Sequence, residues 1–118
     1  MSLETQLFAI ERGFWLGGEE HFLAHLDDEC LLAFPGEHGM HGIRSREEVA
    51  ATAGAAGRWR ALEVSDPCML RLADTAAIIG YRVAAERADG EAYSALISSA
   101  YVARADGWKL AFHQHSPV

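Results

Sequence analysis

One acidic residue lies where an acid is least expected, within the apolar side of a helix. Apolar residues recur at i, i+4, i+7 and i+11 over residues 3 to 16, which predicts an amphipathic helix. On a helical wheel Glu11 falls between Phe14 and Trp15, inside the apolar arc. Burial would raise the pKa of its carboxyl toward the range useful for proton transfer, so Glu11 is a candidate catalytic residue. The alternative is an acid at the edge of the arc, paired with Arg82 or reaching solvent.

Two histidines near the end of the chain have a spacing that also suggests chemistry. His113 and His115 are two residues apart, so on a strand they share one face. Together with His38 and His41 they could bind a metal, and His21 with His25 offers a second, separate option. No cysteine or carboxylate at ligand spacing completes either set, so we expect no metal and no other cofactor. His113 is therefore a candidate general base, or a hydrogen-bonded residue at an interface.

A band of polar residues on an apolar strand face suggests a ligand site. Arg82, Ser99 and Gln114 share one face under the register derived below. They could orient a carboxylate or carbonyl in an apolar pocket, beside Trp15 and Tyr101. The alternative is that the band forms the solvated end of the sheet. We expect these five ligand-binding candidates to face the interior, with the acid of the first helix pointing in.

Turn dipeptides divide the second half of the chain into long strands. Asp89-Gly90 and Asp106-Gly107 each lie between two segments of alternating apolar residues, which is a strong hairpin signal. If both dipeptides are two-residue loops, Arg82 lies opposite Ile97 and Ser99 opposite Gln114. A one-residue slip in the second turn would exchange the faces of the last strand. The face predicted to line the pocket also carries Ile78, Ile97, Tyr101, Trp108, Leu110 and Phe112.

Helices precede these strands. Residues 19 to 26 predict a second helix, residues 29 to 35 a short strand, and the capping box Ser45-Arg-Glu-Glu48 begins a third helix through Ala56. The first long strand is predicted over residues 59 to 72, broken at Asp66-Pro67. Helices followed by an antiparallel meander predict an α+β fold. Without a repeat or a linker, residues 1–118 are expected to form a single domain.

Composition excludes several classes of partner. The net charge is −7 and the few basic residues are scattered, so no basic stripe for nucleic acid exists. No apolar run reaches the roughly 20 residues of a membrane span. The first residues carry acids where a signal peptide carries a basic segment, so export is not expected. Cys30 and Cys68 lie far apart, as is typical of a reduced, cytoplasmic protein.

The predicted sheet has a second apolar face that the helices of a monomer would leave exposed. Both faces are rich in apolar residues, and three short helices can cover only one of them. We therefore expect a homodimer through the outer sheet face. Small residues on that face, Ser98, Ala100 and Ala111, would allow close approach.

The order of elements resembles the nuclear transport factor 2-like superfamily. In its cystatin-like cone, a long amino-terminal helix and two shorter helices pack into a curved antiparallel sheet. The likeness covers nearly the whole chain, and its most specific part is the closing GWKLAFHQHSP, similar to a tryptophan-led last strand that ends in a His/Gln/Ser/Pro cluster. The chain particularly resembles small bacterial domains of unknown function near the polyketide-cyclase-like (SnoaL-like) and ketosteroid-isomerase-like branches. It is also similar to the calcium/calmodulin-dependent kinase association domain.

The resemblance implies a fold but not one activity, because the superfamily includes isomerases, dehydratases, cyclases, transport adaptors and assembly domains. The isomerase branch uses a helix tyrosine and two pocket aspartates, whereas the comparable helix end here has Phe14 and Trp15. The preferred hypothesis is a domain for small-organic-ligand binding or for assembly, with an internal, mostly apolar pocket. The alternative is a cofactor-free isomerase, cyclase or dehydratase that uses a pocket Glu or His for proton transfer.

Overall fold

The computed structural model describes residues 1–36, 40–54 and 57–118. Within these ranges three helices and six strands follow one another: α1 (Leu3–Leu16), α2 (Glu19–His25), β1 (Leu26–Ala33), β2 (His41–Ser45), α3 (Arg46–Ala53), β3 (Trp59–Ala73), β4 (Ala76–Arg87), β5 (Ala92–Arg104) and β6 (Gly107–Pro117). The predicted α+β class is confirmed. None of the helices in these ranges has the length and apolar character needed to cross a membrane.

Side-chain hydrogen bonds cap the first turns of α1 and α3. Ser2 accepts a hydrogen bond from the Thr5 backbone N–H at 3.1 Å, which satisfies one free donor of α1. In α3 both bonds of the predicted capping box form between Ser45 and Glu48. The predicted end of this helix, Ala56, lies outside the described residues.

The six strands form one curved, unclosed sheet in the order β2-β1-β6-β5-β4-β3. Four of the five neighbouring pairs are antiparallel, including the three of the predicted meander from β3 to β6, but β1 runs parallel to β6. The sheet is therefore mixed. Its concave face packs on α1 and the other helices, and the core lies between them.

The loop between β4 and β5 corrects the predicted register. Ala88, Asp89 and Gly90 form a three-residue loop closed by the hydrogen bond from Arg87 N–H to the Glu91 carbonyl at 2.8 Å. Gly90 has a φ of +94°, a left-handed conformation that suits glycine and ends such a loop. The two-residue loop predicted from Asp89-Gly90 is wrong by one position.

The slip changes which side chains of β4 face inward. Arg82 pairs with Leu96 instead of Ile97, and both lie on the outer face. Tyr81 pairs with the buried Ile97 and faces the helices. The predicted inward position of Arg82 is therefore wrong.

A β-bulge in β6 makes the second correction. Tyr101 pairs with Leu110, but its neighbour Ala100 pairs with Phe112, so Ala111 faces no residue of β5. The predicted face is correct up to Leu110. Beyond the bulge the alternation is shifted by one residue, so Phe112 lies on the outer face.

The same shift determines which faces His113, Gln114 and His115 occupy. His113 pairs with the buried Ser99 and lies on the inner face, as does His115 opposite Ile97. Gln114 pairs with Ser98 on the outer face and donates to the Ser116 hydroxyl. The predicted inward position of Gln114 is wrong.

Two other predicted features differ in detail. Strand β3 continues through Asp66-Pro67, although its ladder is irregular between Ser65 and Cys68. Strand β2 was not predicted, because the three glycines in residues 36 to 42 (GEHGMHG) indicate a loop that includes His41. His38 of that loop lies outside the described residues.

The outer face carries an apolar row that crosses all six strands. Directly paired residues form it, and we call it the outer row: Leu70, Ile78, Ala100, Phe112, Leu31 and Ile43. Leu70 and Ile43, at its two ends, are more than half exposed. The predicted second apolar face is therefore present.

Candidate functional site

The helices and the concave face of the sheet enclose a cavity of about 170 Å³. Its wall is mainly apolar and aromatic, with one arginine and two histidines: Phe14, Trp15, Phe22, Leu26, Leu32, Phe34, Met40, Val49, Thr52, Trp59, Leu110, Arg58, His113 and His115. The Trp15 indole stacks on the His115 ring with centroids 5.2 Å apart. Phe34 lies 4.7 Å from the same imidazole. Aromatic contacts on both sides thus fix the orientation of His115.

Glu11 lies at the centre of a group of hydroxyl donors. Its carboxylate is 2% exposed and comes from the inward side of α1. Oε2 accepts hydrogen bonds from the Tyr81 hydroxyl at 2.5 Å and the Ser99 hydroxyl at 2.6 Å. Oε1 accepts from the Tyr101 hydroxyl at 2.6 Å. Three donors from β4 and β5 therefore compensate the carboxylate for its lost contact with water.

His113 joins this group through Ser99. The single hydrogen of the Ser99 hydroxyl is used on Glu11, so in the 2.6 Å contact with His113 Nδ1 the imidazole is the donor. His113 Nδ1 also lies 3.5 Å from Glu11 Oε2. Because Nδ1 carries the hydrogen, His113 Nε2 is an acceptor in the neutral ring.

The hydrogen bonds continue to a half-buried tyrosine. His115 Nε2 lies 2.9 Å from His113 Nε2 and is its donor, and His115 Nδ1 accepts from the Tyr93 hydroxyl at 2.8 Å. All hydrogens in this sequence of bonds point toward Glu11. Trp15 Nε1 adds a bond of 2.8 Å to the Tyr81 oxygen. We call the whole set the polar network: Glu11, Trp15, Tyr81, Tyr93, Ser99, Tyr101, His113 and His115.

Burial controls the protonation of this network. It raises the pKa of the Glu11 carboxyl, although hydrogen bonds from Ser99, Tyr101 and Tyr81 offset part of the rise. Burial lowers the pKa of His113 to about 4. Burial, with a smaller contribution from the neighbouring His113, lowers the pKa of His115 to about 3. Both imidazoles are therefore neutral near pH 7, as the hydrogen-bond pattern requires.

A second, larger depression of about 540 Å³ lies between α1 and strands β3 and β4. It is more open than the cavity, and Glu11, Trp15 and Tyr81 contribute to its lining. Trp15 lines both depressions, and His113 and His115 line only the cavity. The polar network thus lies between the two.

Arg58 brings a cation to the wall of the cavity. Its Nη2 donates to the carbonyls of Phe14 and Gly17 at the end of α1, at 2.9 and 3.4 Å. Its Cζ lies 5.3 Å from the centroid of the Phe22 ring. Its Nε is the one buried side-chain nitrogen or oxygen that has no hydrogen-bond partner in the described ranges.

The structure brings most of the predicted site residues together. Glu11, Ser99, Tyr101 and His113 meet in the polar network, and Trp15 lies in both the network and the cavity wall. Ser99 and Tyr101 belong to the polar network but do not line the cavity.

Two predicted residues are apart from the site. Arg82 lies on the outer face, where its Nε is 3.9 Å from Asp66, so the predicted pairing with Glu11 is wrong. Gln114 lies on the same outer face.

Sequence reasoning did not assign roles in the site to Arg58 or Tyr93, and it placed Tyr81 on the outer face, as a pocket residue only if the two faces were exchanged. Alternation with the apolar Ile79 and Val83 is a signal that could have placed Tyr81 inward.

Among residues 1–36, 40–54 and 57–118 there is no group of three or more His, Cys, Asp or Glu side chains placed to hold a metal ion. His41 is exposed on β2, whereas His113 and His115 hydrogen-bond within the polar network. His21 lies 2.9 Å from the Ile10 carbonyl, and its ring packs on that of His25.

Comparison with solved structures identifies the architecture. An NTF2-like protein from Cytophaga hutchinsonii superimposes with a TM-score of 0.76 at 14% identity, and the match covers 100% of each chain. The chain has the nuclear transport factor 2-like (NTF2-like) fold. A candidate ketosteroid isomerase from Parabacteroides distasonis matches with a TM-score of 0.75 at 13% identity, covering 99% of this chain and 89% of that one.

A further similar structure is a candidate Ca/calmodulin-dependent kinase II association domain from Exiguobacterium sibiricum. It has a TM-score of 0.73 at 19% identity, over 98% of this chain and 92% of that one. No protein-family model and no curated protein matches the sequence. Identities this low establish the NTF2-like fold alone.

Proposed function

We propose that residues 1–118 act as a single NTF2-like domain that binds a small organic molecule in the internal cavity. The observation that carries this proposal is the cavity of about 170 Å³, which has an apolar, aromatic wall with Arg58, His113 and His115 among its polar groups. Apolar concavity with a few polar groups is the usual composition of a ligand site. A cavity of roughly 150 Å³ can hold benzene, so the ligand is of about that size.

The predicted residues would have different roles, because only some of them line the cavity. Trp15 and His113 line it and would contact the ligand. Glu11, Ser99 and Tyr101 would act behind them, by holding His113 in one tautomer and orientation.

We expect the cavity to bind a small aromatic hydrocarbon. Toluene titrated into labelled protein should cause saturable shifts in the indole signals of Trp15 and Trp59, which both line the cavity. Val49→Phe would place extra bulk in the cavity and should weaken binding at least about tenfold, since overpacked sites resist expansion. Val64 lines the other depression, so Val64→Phe serves as the control. If toluene caused no saturable shift, the binding proposal would be rejected.

A second candidate function is proton transfer without a cofactor. The observation that favours it is Glu11 Oε2 at 3.5 Å from His113 Nδ1, with Ser99 bonded to both. A ligand C–H that displaced His115 from His113 Nε2 would meet a neutral imidazole. The nearby carboxylate would stabilise the imidazolium that forms.

Deuterium exchange tests this candidate. If His113 is a general base, the protein should accelerate deuterium uptake from heavy water into a small ketone such as cyclopentanone, followed by proton magnetic resonance. His113→Gln should reduce that rate at least about 100-fold, the usual contribution of a general base. His25→Gln, on α2 and outside the cavity wall, should leave it unchanged. A rate insensitive to His113→Gln would exclude the catalytic role.

We also propose that the domain forms a homodimer through its outer sheet face. The support is the outer row, whose apolar side chains cross all six strands on the face opposite the helices. Half-buried Ser98 and Ala100 allow a second sheet to approach closely. The likeness to a candidate association domain is in keeping with assembly.

Two leucines of nearly equal exposure provide a matched test of the dimer. Leu96 is 44% exposed on the outer face of β5, and Leu23 is 42% exposed on α2. Light scattering at micromolar concentration should give the mass of two chains for the wild type and for Leu23→Arg. Leu96→Arg should give the mass of one chain, because a charge without a partner would be buried. A wild-type monomer would contradict the proposal.

A further inference from the structure

The polar network leaves its histidines little to offer a ligand. His113 uses Nδ1 on Ser99 and Nε2 on His115, and the second nitrogen of His115 is occupied by Tyr93. Neutral imidazole has one donor and one acceptor, so both rings are fully used. A ligand in the cavity must therefore find its polar partner elsewhere or break the network.

Arg58 has what the histidines lack. Its Nε is buried and has no partner in the described ranges, although the residue lines the cavity. A buried donor without an acceptor is costly, which makes such an atom rare in folded proteins. The guanidinium is held in place from two directions, by the carbonyls of Phe14 and Gly17 and by the Phe22 ring. Because Nε is shielded from solvent, an acceptor brought by a ligand would reach it only after the side chain shifts toward the cavity that Arg58 lines.

The charges around the cavity favour an anion. Arg58 is the one cationic side chain among the residues that line it, and the two lining histidines are neutral. The Glu11 carboxylate is not part of this wall, and its charge is already matched by three hydroxyl donors. Burial also lowers the pKa of the Arg58 guanidinium, a cost that a bound anion would offset.

We infer that Arg58 binds the carboxylate of a small organic acid whose apolar part fills the cavity. Charge-assisted hydrogen bonds from a guanidinium are the strong ones, and the planar group suits a carboxylate. The aromatic wall formed by Trp15, Phe22 and Trp59 suits a compact apolar body. This inference rests on the proposed binding function and names its ligand class.

Three probes of similar shape separate the inference from the function on which it rests. Benzoate, benzamide and toluene are titrated at neutral pH into the full chain, with dissociation constants from magnetic resonance shifts. We expect benzoate to bind roughly 10- to 100-fold more tightly than benzamide, as a hydrogen bond to a charged group implies. Arg58→Met should remove this preference, so that benzoate and benzamide bind with similar dissociation constants, while toluene still binds.

Two variants provide the controls. Arg87→Met removes a guanidinium that lies 4.5 Å from the Trp59 ring but does not line the cavity, and should keep the benzoate preference. Arg58→Lys retains the charge and should keep part of the preference, even if Arg58→Met fails to fold. Equal binding of benzoate and benzamide by the wild type, with toluene bound, would overturn the role of Arg58 alone. Failure of all three probes to bind would overturn the binding function and the inference together.

Discussion

Glu11→Ala is expected to lower the free energy of unfolding by roughly 3 to 5 kcal/mol, because it leaves several buried hydroxyl donors without an acceptor. The hydroxyls of Tyr81, Ser99 and Tyr101 all donate to this carboxylate and are themselves buried. Each would lose its acceptor in a place that water reaches poorly. Urea unfolding followed by tryptophan fluorescence measures the loss.

Two further variants define the origin of that loss. Glu11→Gln keeps one acceptor oxygen and avoids the burial of a charge, so its loss should be smaller than that of Glu11→Ala. Arg12→Ala changes the next residue of α1, which is exposed, and should stay within about 0.5 kcal/mol of the wild type. If Glu11→Ala were as stable as Arg12→Ala, the three hydroxyls would not depend on the carboxylate.

The second large effect is expected in the dependence of stability on pH. The folded protein holds His113 and His115 neutral, with pKa values lowered to about 4 and about 3 from 6.5. In the unfolded chain both rings take up protons below about pH 6.5. Their contribution to stability is therefore complete above about pH 6.5, and it is lost as the pH falls toward the folded pKa values.

The size of this effect follows from the linkage relation. Between about pH 7 and about pH 5 each histidine should reduce the free energy of unfolding by about 2 kcal/mol. Glu11 acts in the opposite direction, since burial raises the pKa of its carboxyl and favours the folded state at low pH. Burial also lowers the pKa values of His21 and His25, which adds to the loss at low pH.

Histidine variants isolate the contribution. The double substitution His113→Gln and His115→Gln should remove most of the pH dependence in urea unfolding between these two pH values. His115→Gln alone should remove about half, which keeps the test available if the double variant is unstable. His41→Gln changes an exposed histidine of β2 and should retain the wild-type dependence. An unchanged slope in the double variant would mean that other groups determine acid unfolding.

Local signals were sufficient to place Glu11. The helix over residues 3 to 16 is visible from its apolar period, and the same period shows that Glu11 points inward. The capping box of α3 is equally local. His113 was also found as a candidate, although the sequence could not show that Ser99 links it to Glu11, because that contact joins residues from three elements.

The inward face of β4 could not be read from the sequence because it depends on one loop. Asp89-Gly90 fits both a two-residue loop and the end of a three-residue loop, and the choice between them decides whether Arg82 or Tyr81 faces the helices. Arg58 was missed for a different reason. Its partners are carbonyls more than 40 positions earlier in the chain, and no spacing rule connects them.

The bulge at Ala111 has a consequence for the comparison of this strand with others. Leu110 and Phe112 pair with neighbouring residues of β5, so Ala111 is an insertion in the ladder and not a position of it. An alignment with a regular last strand therefore needs a one-residue gap at Ala111. Without that gap, Phe112 and Gln114 would be equated with inward positions of other chains, and both histidines of the cavity would be assigned to the outside.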